Sequence, residues 1–152
     1  SNVYGPFQQL YRLIPKAIHR FANDQTIELH GGGESVRNFI HIDDVCDATL
    51  LLTTNDTKFD EYHISGSEMH SIKEVVDLIA QEMHRPTGTY SKNVGERLGK
   101  DRLYYLSSDR IFDEFGWKTK VSLSEGLAST LSWYEDQKDE LRGFVSEYIH
   151  KR

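Results

Sequence analysis

The chain has 152 residues, of which 38% are apolar and 28% charged, the make-up of about one globular domain. Its formal charge of −6 argues against nucleic acid as the main partner, because such partners favour a basic face, but it leaves room for a small anion held by a local cluster of arginines. The single cysteine, Cys46, excludes an internal disulfide framework and fits a reducing, cytoplasmic setting. No apolar run approaches the roughly 20 residues of a membrane span, and no secretory signal is visible.

Taken in order, Ser1-Asn2-Val3-Tyr4-Gly5-Pro6 reads as the end of a strand entering a turn, with Gly5-Pro6 as the breaker. The chain is therefore expected to open in the middle of a larger arrangement. Leu10, Leu13, Ile14, Ala17, Ile18 and Phe21 have helical spacing. Pro15 belongs in the first turn of that helix, where a missing N–H is tolerated. Ile27 to His30 alternates and predicts a strand.

The stretch from His30 to Asp47 organises the rest. Gly31-Gly32-Gly33 makes a turn that most side chains could not enter. Arg37 then opens a second strand reaching Ile42. Asp43 is the expected cap of a helix that runs to about Thr54, with Val45, Ala48, Leu51 and Leu52 on its apolar face. This layout sets a fixed cation at a loop–strand junction beside a helix N-terminus, which suits half of a phosphate clamp. The plainer alternative is a surface turn in which Arg37 pairs with Asp43 or Asp44.

Tyr62 to Ser65 predicts a short strand ended by Gly66. Ser71 and Glu74 form a capping box for a helix that buries Ile72, Val75, Val76, Leu78, Ile79 and Met83 and stops at Pro86. Val94 to Leu106 is irregular or strand-like. Ser108 is the expected cap of a short helix through Ile111, Phe112 and Phe115, closed by Gly116. Ser122 and Glu125 form a second capping box, and the last helix uses Leu123, Leu127, Leu131 and Tyr134. Asp136 to Arg152 stays helical in pattern but is highly charged. The sum is a small α+β unit of helices with short strands.

Few other residues suggest chemistry. The seven histidines include no pair at helical metal-binding spacing with a third ligand nearby, so no metal site is expected. Cys46 reads as a small core residue rather than a nucleophile, and Trp117 as core rather than a platform for a base. Asp43 and Asp44 suit capping and ion pairing better than paired acid–base work.

Five motifs in one order carry a resemblance: Asn2-Val3-Tyr4-Gly5-Pro6, Arg12-Leu13-Ile14-Pro15, Gly31 to Asp44, Arg97 to Arg102, and Phe115-Gly116-Trp117-Lys118. Their order resembles the C-terminal half of the extended short-chain dehydrogenase/reductase family. Within it the chain looks most like the NAD-dependent sugar-nucleotide epimerases and dehydratases, typified by the dTDP-glucose 4,6-dehydratases. The resemblance covers about Asn2 to Tyr134. It implies a substrate-binding domain over 1–135, a charged helical tail over 136–152, and most of the Rossmann sheet lying elsewhere. It also implies that Asn2, Arg12 and Arg37 grip the diphosphate of a nucleotide sugar, that Arg97 acts from the nucleotide side, that His30 stands beside the base, and that Ser1 stands beside the nicotinamide of NAD. Guanidinium forks suit a diphosphate on chemical grounds alone. Leu98 and Lys100 replace the family's proline and histidine, and Ser71 replaces an asparagine, all on the substrate side.

The family's catalytic Tyr-x-x-x-Lys pair and its glycine-rich strand–turn–helix for NAD have no counterpart here. Tyr134 and Lys138 fit the spacing literally, but that spacing only sets two residues on one helix face. The chain is accordingly expected to be a substrate-binding portion, a fragment or subdomain needing an N-terminal Rossmann half, without NAD binding or turnover by itself. The alternative is a stand-alone interaction module derived from that half-domain. Under either reading, self-association would cover the edge near Ser1.

Overall fold

The computed structural model describes residues 1–96, 99 and 101–141. The described elements are strand β1 (Asn2–Tyr4), helix α1 (Leu13–Ala22), β2 (Ile27–His30), a 3-10 turn (Gly31–Gly33), β3 (Val36–His41), α2 (Ile42–Thr54), β4 (Met69–Ser71), α3 (Ile72–Glu82), β5 (Ser91–Val94), β6 (Leu103–Tyr104), α4 (Asp109–Phe115) and α5 (Leu123–Leu141). The arrangement is α+β, as expected from the sequence.

Strand β3 is the hub. Its second half pairs in parallel with β1, from Asn2↔Phe39 to Tyr4↔His41. Its first half pairs antiparallel with β4, Arg37 opposite His70, and in parallel with β6, Arg37 opposite Tyr104. Strands β2 and β5 form a separate parallel pair.

The main core lies between α1, α3 and α5 and against β2. Ile14, Ile18 and Phe21 of α1 meet Val75, Val76 and Ile79 of α3 and Leu127 and Tyr134 of α5. Spacings of three and four give each helix one apolar face, and the burial of each large aliphatic or aromatic side chain contributes roughly 1.5–3 kcal/mol. A second cluster joins Ile40, Ala48, Ile111 and Trp117, so Trp117 is core, as expected. Both capping boxes form: Glu74 N–H donates to the Ser71 hydroxyl at 3.1 Å and Glu125 N–H to the Ser122 hydroxyl at 3.3 Å. Gly116 closes α4 with φ of 66°.

Several expectations are overturned. Asp43 is not the cap of α2. The strand runs directly into the helix, His41 takes the cap position, and its Nδ1 accepts the Asp43 N–H at 3.3 Å. Cys46 is exposed rather than core. Ala48 holds the buried face of α2, and a residue two positions away on a helix points to the other side. Tyr62 to Ser65 forms no strand. The Ile64 carbonyl accepts from the Ser1 amino group at 3.3 Å, and Ser65 N–H donates to the Ser108 hydroxyl at 2.9 Å. That bond also diverts Ser108 from capping α4, where Ser107 Oγ accepts the Asp109 N–H at 3.1 Å instead. The stretch from Val94 to Leu106, expected to be irregular or strand-like, contains β6, whereas β5 (Ser91–Val94) lies ahead of it and was not expected. The charged tail begins as a continuation of α5 to Leu141, and its remainder lies outside the described residues.

Candidate functional site

Four of the six residues singled out for binding, Ser1, Asn2, Arg12 and Arg37, line one cavity of about 750 Å³. The other two stand differently. His30 is exposed at the end of β2, its Nδ1 3.3 Å from the Gly95 carbonyl, and does not line this cavity. Arg97 lies outside the described residues.

The cavity is built on the β1–β3 pairing. The Asn38 carbonyl accepts from the Ser1 hydroxyl at 2.9 Å and from the Asn2 amide at 3.0 Å, which fixes both side chains along the strand. Asn38 itself is only 2% exposed. Its amide donates to the carbonyls of Gly66 at 2.9 Å and Glu68 at 3.1 Å, so it ties the following loop onto the hub strand. No spacing rule pointed to Asn38. Its position next to Arg37 is the only trace it leaves in the sequence.

Arg37 is half-buried and held by main-chain carbonyls. Nη1 donates to Val36 O and Nη2 to Asp101 O, both at 2.7 Å. Neutral acceptors orient a guanidinium without cancelling its charge. The two aspartates that might have paired with it are engaged elsewhere. Asp43 sits 3.4 Å from His41, and the buried Asp44 carboxylate accepts the N–H groups of Lys120 at 2.9 Å and Val121 at 3.2 Å.

Arg12 occupies the cap position of α1 without a side-chain cap bond, and no acidic residue occupies the first turn. Leu13 and Ile14 of that turn also line the cavity. The positive end of the helix therefore borders the same space as the two arginines. Among the described residues no carboxylate lines the cavity. A site with this charge pattern can hold a compact anion and orient it, with Asn2 as a polar neighbour.

Groups that might have served as proton donors are otherwise employed. Burial pushes the Tyr4 hydroxyl up, with Asp44 adding to the effect. Tyr134 is likewise pushed up by burial, and its hydroxyl lies 2.8 Å from His19 Nδ1, while Lys138 pairs with Glu135 at 3.2 Å. Tyr134 and Lys138 thus serve separate structural contacts. Among the described residues no group of three or more His, Cys, Asp or Glu residues is placed to hold a metal ion. No described helix is long and apolar enough to cross a membrane.

Comparison with known proteins is consistent with this geometry. The NAD dependent epimerase/dehydratase family matches residues 1–65. The chain is similar to dTDP-glucose 4,6-dehydratase of Streptomyces griseus, 34% identical over 138 residues, covering 91% of this chain and 42% of that protein. It is also similar to dTDP-D-glucose 4,6-dehydratase of Mus musculus, 33% identical, covering 88% of this chain and 39% of that one. Among solved structures, dTDP-glucose 4,6-dehydratase from Streptomyces venezuelae, which contains NAD, superposes with a TM-score of 0.85 at 29% identity over 91% of this chain and 43% of the other. UDP-glucose 4-epimerase from Thermotoga maritima, with UDP-glucose, superposes with a TM-score of 0.81 at 26% identity, covering 90% and 44% of the two chains. The chain spans less than half the length of the relatives it matches.

Proposed function

We propose, from the premise that this chain belongs to the NAD-dependent epimerase/dehydratase family as part of an extended short-chain dehydrogenase/reductase, that it is the substrate-binding portion of a nucleotide-sugar dehydratase or epimerase. The observation that carries the reading is the meeting of Arg12, Arg37, Asn2 and the start of α1 in one cavity that, among the described residues, no carboxylate lines. A diphosphate bridging the two arginines would replace its water shell with charge-assisted hydrogen bonds. His30, at the exposed end of β2, and Arg97 are assigned to the nucleotide end of the ligand, and Ser1 to the side facing the nicotinamide.

The pyrophosphate of NAD is assigned to a part of the enzyme outside the described residues. Gly31–Gly33 lead from β2 into β3, whereas a dinucleotide's pyrophosphate needs a glycine turn that opens a helix. The hydride chemistry of the family would therefore depend on a dinucleotide-binding part, and this chain's contribution is to hold and orient the substrate. A second reading, a non-catalytic binding module, draws on the position of β1 at the edge of its sheet, with Val3 exposed.

Calorimetric titration of the purified chain with dTDP-glucose, UDP-glucose and NAD tests the choice. Binding of a sugar nucleotide without binding of NAD is the expected result. Heat with NAD alone would reject the assignment. Binding of none of the three would favour the module.

A further inference from the structure

Phe7, in the loop between β1 and α1, has φ of +65°, a region that bulky L residues rarely enter. The residue is 80% exposed, the highest value among the described large hydrophobic residues. Folding alone does not account for a strained backbone that holds an apolar ring in water, and outliers of this kind mark sites where a ligand is met. The ring is also supported. Its centroid lies 5.3 Å from that of Trp133, with the planes at 52°, and Trp133 packs on the main core. The loop is braced at both sides: the Gln8 side chain donates to Val3 O at 2.6 Å, and a Cβ on Gly5 would meet Ile42 Cγ2 at 2.7 Å. The same cavity that gathers Arg12 and Arg37 is lined by Phe7.

We infer that Phe7 is a further binding residue of this site, offering the free face of its ring to the apolar C–H face of the hexose carried by the diphosphate. The inference rests on the reading of the cavity as a nucleotide-sugar site. Phe7 lines the cavity together with Ser1, the residue assigned to the side facing the nicotinamide, where the reacting sugar would lie, whereas the residue assigned to the base, His30, stands outside the cavity. A phenyl ring without a polar atom matches a surface of C–H groups and gives nothing to a phosphate.

The test compares wild type, Phe7→Ala and Phe7→Gly by titration with dTDP, UDP, dTDP-glucose and UDP-glucose, together with thermal melting. Both variants are expected to bind the sugar nucleotides about tenfold more weakly, from loss of a ring contact, and to bind the plain nucleoside diphosphates as the wild type does. Phe7→Gly is expected to melt no lower than wild type, because glycine suits the positive φ. An equal loss for diphosphates with and without sugar, or no loss for either, would overturn the inference and leave the diphosphate site standing. A lower melting temperature of Phe7→Gly with unchanged affinities would overturn it in favour of a packing role. If the wild type binds none of the four ligands, the reading of the cavity fails, and this inference with it.

Discussion

The guanidinium of Arg37 donates to the main-chain carbonyl of Asp101 at 2.7 Å. The contact reaches from the hub strand to the entry of β6 and aims the cation without neutralising it. Arg37→Ala is expected to weaken sugar-nucleotide binding by about 1.5–3 kcal/mol, the range for a lost hydrogen bond to a charged group. Arg37→Lys should restore only part of this, since an ammonium cannot make the paired contacts of a guanidinium. Calorimetry on variants that melt within a few degrees of wild type checks both.

Asp44 is 1% exposed and receives two backbone N–H groups, from Lys120 and Val121. It anchors the segment between α4 and α5 to the start of α2. Asp44→Ala strands two donors and is expected to cost about 2–4 kcal/mol of folding stability. Asp44→Asn keeps one acceptor oxygen and should cost less. Urea unfolding of the three proteins orders them.

His19 predicts a pH dependence. Burial, aided by Arg20, holds its imidazole below the ordinary value of 6.5. The unfolded chain therefore takes up the proton first, and the stability due to neutral His19 is present above about 6.5 and is lost as pH falls toward the folded value. Melting temperature should decline on going from pH 7 to pH 5. His19→Gln, which retains an acceptor for Tyr134 and cannot titrate, should show a shallower decline over the same range.

Two glycines separate close approach from backbone conformation. A Cβ at Gly66 would collide with the Phe39 carbonyl, which the β1–β3 sheet holds in place, whereas a Cβ at Gly116 meets nothing within 4 Å. Gly66→Ala is expected to cost about 3 kcal/mol as an overpacking change. Gly116→Ala carries only the penalty of φ near +66°, about 1 kcal/mol. Chemical denaturation of both variants distinguishes the two causes.

Helices α1, α3 and α5 were legible in the sequence because their signals are local. Apolar residues three and four apart define a face, and Ser71 with Glu74 and Ser122 with Glu125 announce the starts. Strand β4 was not legible. Met69-His70-Ser71 has no alternation long enough to read, and only its pairing with β3 makes it a strand. Tyr62 to Ser65 has strand-like composition but spends its polar backbone groups on Ser1 and Ser108. The shift of the α2 cap from Asp43 to His41 arises because no linker separates β3 from the helix, which the residue types alone do not reveal. At the site, the family resemblance implied that Asn2, Arg12 and Arg37 serve one ligand, and all three line one cavity. The separation of His30 from it, the tie made by Asn38 and the positive φ of Phe7 depend on tertiary placement, and no sequence pattern encodes them.

The three-way pairing of β3 has a mechanical corollary. Side chains alternate along a strand, so sliding β3 by one residue would turn Arg37 toward the interior and bring Asn38 to the cavity. Such a slip would break the ladders to β1, β4 and β6 together, because β1 pairs with Phe39 to His41 while β4 and β6 both pair with Val36 and Arg37. Ligand geometry and sheet cooperativity therefore share one degree of freedom. Bound diphosphate should slow amide exchange along all four strands at once, including β4, which does not line the cavity.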